Sequence, residues 1–310
     1  MARLVYLDQN AWIVLAKGAW DKERYKDEHA ALTRIVGMVR TGSIAVPLSF
    51  SNIYETSKIN DPSRRLNIAQ VQSLISGGTV FRGRRRILTE TLAGYLAKKL
   101  GILQPDPIDH WFLSDLWFEG AGDYSPQNYG FEIAASVIAY IREDPAHALL
   151  DYLASADDNV RQETVRRYSA SSAELIERIE ARRALVSGQP LAIRKRAYGA
   201  RLIIDEFDFI LAIARSLGLK WSMAIDIGSS LVRSIVVDVP VLNTERELVV
   251  RLEDQDRAVS ENDLRDMMAF ITVLPFADVM IAEKQFVNLT RQARLDERYG
   301  TILLTSIHDL

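Results

Sequence analysis

The chain has 310 residues, 48% of them apolar and 25% charged, and it contains no cysteine. This is the composition of a folded globular protein with room for one large domain or two ordinary ones, and it excludes disulfides and thiolate metal sites. A formal net charge of −3 argues against broad attraction of the whole surface to nucleic acid, so a phosphate partner would need local basic patches or a bound cation.

The first element is a short apolar run, residues 4–7, suited to a buried strand and stopped by Asp8. Trp12, Leu15 and Ala16 then take helical spacing. At the carboxyl end of a central parallel strand, where open sheets bind ligands, Asp8 would be a site residue; it equally reads as the N-cap of the helix that follows. An acid this early in the apolar run does not suit a signal peptide. Residues 24–41 are predicted to be helical and ended by Gly42. Residues 43–48 form a second short strand, with Pro47 near its end. Ser49 or Ser51 caps the next helix, which carries Glu55 within about two turns of the strand end. Residues 63–76 form another helix, stopped by Gly77 and Gly78.

From Arg82 the character changes. Helices are predicted over 86–100, 129–143, 146–155, 157–186, 190–217 and 220–237, with almost no strand signal. The block 82–237 is therefore expected to be an all-helical insertion or lobe in a discontinuous domain made of 1–81 and 238–310. Its most apolar part is broken by Arg215, Lys220, Asp226 and Arg233, so buried helices are expected and no membrane partner. A cytoplasmic protein follows as the default expectation. Near the end, a helix runs to about Leu274, a strand covers 279–282, a helix 284–293 and a last strand 301–305. Right-handed crossovers would join the strands from both chain ends into one parallel sheet.

Asp8, Glu55 and Glu283 follow or flank strand ends, and Asp263 and Asp266 lie three apart on one helix. No cation is expected among them. Each has an ordinary reading alone: Glu55 as an exposed helix charge, Asp263 as a cap, Glu283 as a helix-start acid, and Asn10 and Ser51 as caps or ligand-orienting residues. Together, clustered carboxylates repel unless something positive sits among them, and Mg2+ or Mn2+ does this well. Such ions acidify a water and neutralise a phosphate oxygen in phosphodiester hydrolysis. Asp278 lies one strand length from Glu283, at the opposite sheet edge, and reads as structural. The four scattered histidines, His29, His110, His147 and His308, form no paired helical ligand motif.

On Tyr6-Leu7-Asp8-Gln9-Asn10, Ser51-Asn52-Ile53-Tyr54-Glu55, Asn262-Asp263-Leu264-Arg265-Asp266 and Ala282-Glu283-Lys284, the chain resembles the PIN-domain nucleases. The resemblance covers roughly residues 1–75 and 240–305. It implies an α/β, PIN-like three-layer fold, with the family's four acids at Asp8, Glu55, Asp266 (Asp263 a near neighbour) and Glu283. The family usually has Asp at the fourth position; the longer Glu bears on a second metal. It also implies an endoribonuclease, and the choice of RNA over DNA rests on it alone.

Two basic clusters, Arg82, Arg84, Arg85 and Arg86, and Arg194, Lys195 and Arg196 with Tyr198 and Arg201, are candidate contacts for single-stranded RNA. Each also reads as a solvated helix terminus with salt bridges. The expected function is a Mg2+- or Mn2+-dependent ribonuclease, such as a toxin or defence effector. The helical lobe would position substrate, bind a protein regulator or form a homo-oligomer. The rival expectation is a non-catalytic scaffold of the same fold. A phosphatase is weaker still, because no second acid stands two residues after Asp8.

Overall fold

The computed structural model describes residues 2–105, 107–122, 132–155 and 157–310. Its elements begin with β1 (Arg3–Leu7), α1 (Gln9–Trp20), α2 (Lys26–Arg40), β2 (Ile44–Ala45), α3 (Phe50–Ser57), α4 (Pro62–Ser76), β3 (Val80–Phe81), α5 (Arg84–Leu100) and β4 (Leu113–Ser114). There follow α6 (Ala135–Glu143), α7 (Pro145–Ser155), α8 (Asp158–Val186), α9 (Leu191–Asp205), α10 (Phe207–Ser216), α11 (Ala224–Ile227), α12 (Ser229–Asp238) and α13 (Pro240–Leu252). The chain closes with α14 (Glu261–Val273), β5 (Val279–Ile281), α15 (Lys284–Gln292), α16 (Leu295–Tyr299) and β6 (Ile302–Leu304). Part of the helix expected over 129–143 lies outside the described residues.

The protein is mixed α/β and mostly helical, with one parallel four-stranded sheet in the order β2-β1-β5-β6. Both chain ends supply it, as the apolar runs at each end imply. Leu7 is in register with Ile281, so Asp8 leaves the sheet at the same edge as Ala282 and Glu283. At the opposite edge, Asp278 Oδ2 accepts the Leu4 N–H at 2.6 Å. The structural reading of Asp278 holds.

Strand side chains alternate between faces, and the two faces meet different helices. Val5 and Leu7 join Ile44, Val279 and Ile281 against Trp12, Ile35, Ile68 and Leu149 from α1, α2, α4 and α7. Tyr6, Met280 and Leu303 face Leu88, Leu202, Ile210, Leu248 and Phe270 from α5, α9, α10, α13 and α14. Helices of the segment 82–237 therefore pack into the same two cores as the sheet. Of these, α5, α9 and α10 complete the core on one sheet face, and α7 serves the other.

Two long predicted helices are broken. The break at Glu206 falls on a residue whose carboxylate is held by Arg84 and Arg85, each at 2.7 Å. The break before α12 falls on Gly228, at φ +80°. The small antiparallel pair β3–β4 was not expected, because two-residue strands carry no periodicity.

Gly78 sets the join between α4 and β3. Its φ is +78°, and a Cβ there would lie 2.2 Å from the backbone of Pro145 at the start of α7. Gly78→Ala combines backbone strain with overpacking, a cost of about 2–4 kcal/mol. A fall in Tm of several degrees by calorimetry is the expected result.

Candidate active site

The site is built where β1 and β5 end. Asp8 caps α1, with Oδ1 accepting the Ala11 N–H at 2.9 Å. Both readings of Asp8 therefore hold locally: it is a cap, and it stands at the carboxyl edge of a central strand. Its own N–H donates to the Ile281 carbonyl at 3.0 Å, which ties it to the end of β5. Glu283 is the N-cap residue of α15, and Asn10 Nδ2 donates to its Oε1 at 2.8 Å. The first-turn amide of α1 thus orients the acid that follows β5.

The third acid arrives on α3, whose start is fixed to β1. Asn52 donates to the Leu7 carbonyl at 3.1 Å, and its Oδ1 accepts the Ser49 N–H at 2.9 Å. Glu55 follows three residues later on this anchored helix. The fourth acid, Asp266, is on α14, which Ser51 Oγ joins by donating to the Arg265 carbonyl at 3.1 Å. Beneath the group, the Tyr6 hydroxyl lies 3.1 Å from Ser49 Oγ. Burial is what raises the phenol above its usual range, and Asp8, Asp266 and Glu55 add to the effect.

The carboxyls feel one another. Burial pushes Asp266 up to about 8, with Glu283, Glu55 and Asp8 adding to the rise and Arg265 opposing it. Burial likewise pushes Asp8 up to about 6; Glu283 and Glu55 add, while the bond from Ala11 opposes. Glu55 is raised by burial, against the pull of Arg265. Asp8, Asn10 and Glu283 line one cavity of about 170 Å³, closed by Thr305, Ser306 and His308 near the chain's end.

Two expectations need correction. Asp263 is not part of this group. It is only 3% exposed, it bonds Ser260 in a capping box, and it pairs with Arg257 and Gln285. Burial alone would raise it, but Arg257 and Ser260 hold it below the usual carboxylate range. Nor is the group free of cations. The Arg265 guanidinium, with its side chain 6% exposed, stands 3.4 Å from Glu55 and 2.7 Å from Glu261. Ser260 and Asp263 form a local S-x-x-D signal that sequence reading had available. The role of Arg265 had none, because Glu55 is 210 residues away.

The basic clusters are largely committed inside the molecule. Arg82 pairs with Glu119 and donates to the Leu113 carbonyl at 3.0 Å. Arg84 sits between Glu206 at 2.7 Å and Glu245 at 2.6 Å. Arg194 donates to the Val250 carbonyl at 3.1 Å and pairs with Asp254 at 2.8 Å, and Lys195 meets Glu247 at 2.7 Å. These four are engaged in contacts within the protein, so a phosphate at any of them would compete with a carboxylate. Arg86 pairs with Glu90 at 2.8 Å, Arg85 keeps half its side chain open, and Arg196 is exposed.

No family model, curated protein or solved structure matches this chain. Function must therefore be argued from the site itself. Four acids and one guanidinium leave an excess of negative charge that suits a hard divalent cation in donor chemistry. Among the described residues, no group of three or more acidic, histidine or cysteine side chains is placed so as to hold a metal ion. No helix among the described residues is long and apolar enough to cross a membrane.

Proposed function

We propose that the protein is a PIN-like, metal-dependent nuclease, and specifically an endoribonuclease of single-stranded RNA. One observation carries the reading. Asp8, Glu55, Asp266 and Glu283, brought from the ends of β1 and β5 and from α3 and α14, share one electrostatic environment in which the buried Arg265 opposes the rise of Asp266 and Glu55. Folding gains nothing from raising two of its own carboxylates, whereas hydrolytic sites are where such perturbation gathers.

These four residues would hold Mg2+ or Mn2+, which when bound supplies charge to offset a phosphate oxygen and acidity to a water. The chain does the rest. Asn10 fixes the orientation of Glu283, the α1 cap fixes Asp8, and Arg265 steadies Glu55 against its neighbours. The raised carboxyl of Asp266 is able to hold a proton near neutral pH.

The test is cleavage of end-labelled single-stranded RNA with Mn2+, together with Mn2+ calorimetry, on wild type and Asp8→Asn. Wild type is expected to bind the ion and cleave, and Asp8→Asn to do neither. Equal rates for the two proteins would reject the assignment. The rival scaffold reading has one observation in its favour, the guanidinium already placed among the acids. It predicts no Mn2+ heat that depends on Asp8.

A further inference from the structure

Beside the carboxylates lies a larger cavity of about 420 Å³, lined by Ser49, Phe50, Ser51, Arg85, Tyr168 and Ala269 among others. Ser51 on its wall donates to the carbonyl of Arg265, the residue before Asp266, and Tyr168 on its wall is within electrostatic reach of Arg265 and Glu55, so the cavity adjoins the acids. The volume lies within the range of small-ligand pockets, roughly 300–1,000 Å³, and is enough for one nucleotide.

Its walls suit such a guest. Phe50 and Tyr168 are half-buried, with ring centres 5.6 Å apart. Tyr54 supports Tyr168 from behind, at 4.2 Å between centres. At the mouth, Arg85 gives one N–H to Glu206 and rests 4.3 Å above the Phe209 ring, while 52% of its side chain stays open. A guanidinium braced on one side and open on the other suits a phosphate, and π-faces suit any base.

We infer that this cavity binds one unpaired nucleotide of a single strand, with its base against Phe50 and Tyr168 and its phosphate at Arg85, next to the phosphodiester presented to the carboxylates. The inference rests on the nuclease reading and names the strand's second point of attachment. A duplex, whose bases are already paired and stacked, has no free base face to offer the two rings.

The probe is a single-stranded RNA carrying 2-aminopurine, titrated against the full-length protein in EDTA, so that binding is read without cleavage. Stacking is expected to quench the fluorescence; the same oligonucleotide in a duplex is expected to show no quench on adding protein. Tyr168→Leu and Phe50→Leu keep apolar volume without a π-face. Each is expected to weaken binding about 5- to 150-fold, the range for loss of one stacked base, and to lose the quench while Tm stays near wild type. Arg85→Ala is expected to weaken binding and flatten its salt dependence with the quench retained. A parallel DNA strand that binds equally would place recognition on base and phosphate; weaker DNA binding would add the 2′-hydroxyl. Wild type that cleaves with Mn2+, while the Leu variants and Arg85→Ala bind and quench unchanged, would overturn this pocket and leave the carboxylate site standing. Wild type that neither binds nor cleaves any strand would overturn both.

Discussion

Asp266→Asn is expected to stabilise the metal-free protein and to disable it. Asp266 is pushed up to about 8 from an ordinary 3.8, first by burial and then by Glu283, Glu55 and Asp8. Between those values the folded state holds a proton that the unfolded chain has released. Ionised Asp266 therefore opposes folding, fully above about pH 8 and not at all below about pH 4. Asparagine keeps the shape and removes the charge. In EDTA at pH 9 its Tm is expected to rise by about 5 °C or more, on a scale of about 2–4 °C per kcal/mol, and the gain is expected to fade by pH 4.

Divalent cation should reverse the order. A ligand at 100 times its Kd stabilises by about 2.7 kcal/mol, and the variant lacking one ligand receives less of it. Cleavage is expected to fall on the order of 100-fold or more, the loss typical of removing a group that stabilises developing charge. Differential scanning fluorimetry at pH 4 and 9 in EDTA, and at neutral pH with Mn2+, measures the first part; labelled RNA measures the second. A variant no more stable than wild type at pH 9 would mean that Asp266 carries no excess charge to relieve.

What sequence reading reached here depended on the distance over which each residue's role is decided. Asp8 was legible because an apolar run ends abruptly on it and helical spacing begins at once. Glu283 and Asp278 were separable because a strand's rise per residue fixes how far apart its two ends lie. The partners of Arg84 and Arg194 were not legible because a charge run looks solvated until its partners are known, and Glu206, Glu245 and Asp254 lie at least 60 residues from the arginines they pair with. The helical block hid its packing against the sheet for a related reason. Its periodicity shows that α5 and α10 have apolar faces, but not that these faces cover Tyr6 and Met280.

Arg265→Met is the substitution expected to cost the most stability. The guanidinium serves Glu55, Glu261 and Asn262, and it lies 5.8 Å from the Tyr54 ring centre. It also opposes the rise of both Asp266 and Glu55, so it offsets charge on two elements at once. Methionine keeps the unbranched stem and its packing, so the loss reports on charge. Removing one partner from a buried ionic group costs about 3–5 kcal/mol, because the remaining charges stay buried and unpaired. A fall in Tm of roughly 10 °C in EDTA follows, by the same scale used for Asp266. If Arg265 and a divalent cation offset the same carboxylates, Mn2+ should raise the Tm of Arg265→Met by more than it raises that of wild type. Adding Asp266→Asn should return part of the lost stability without any metal, since it removes one of the charges left bare. Equal Mn2+ increments in Arg265→Met and wild type would show that guanidinium and cation address different charges, and the carboxylates would then have to be divided into two separate groups.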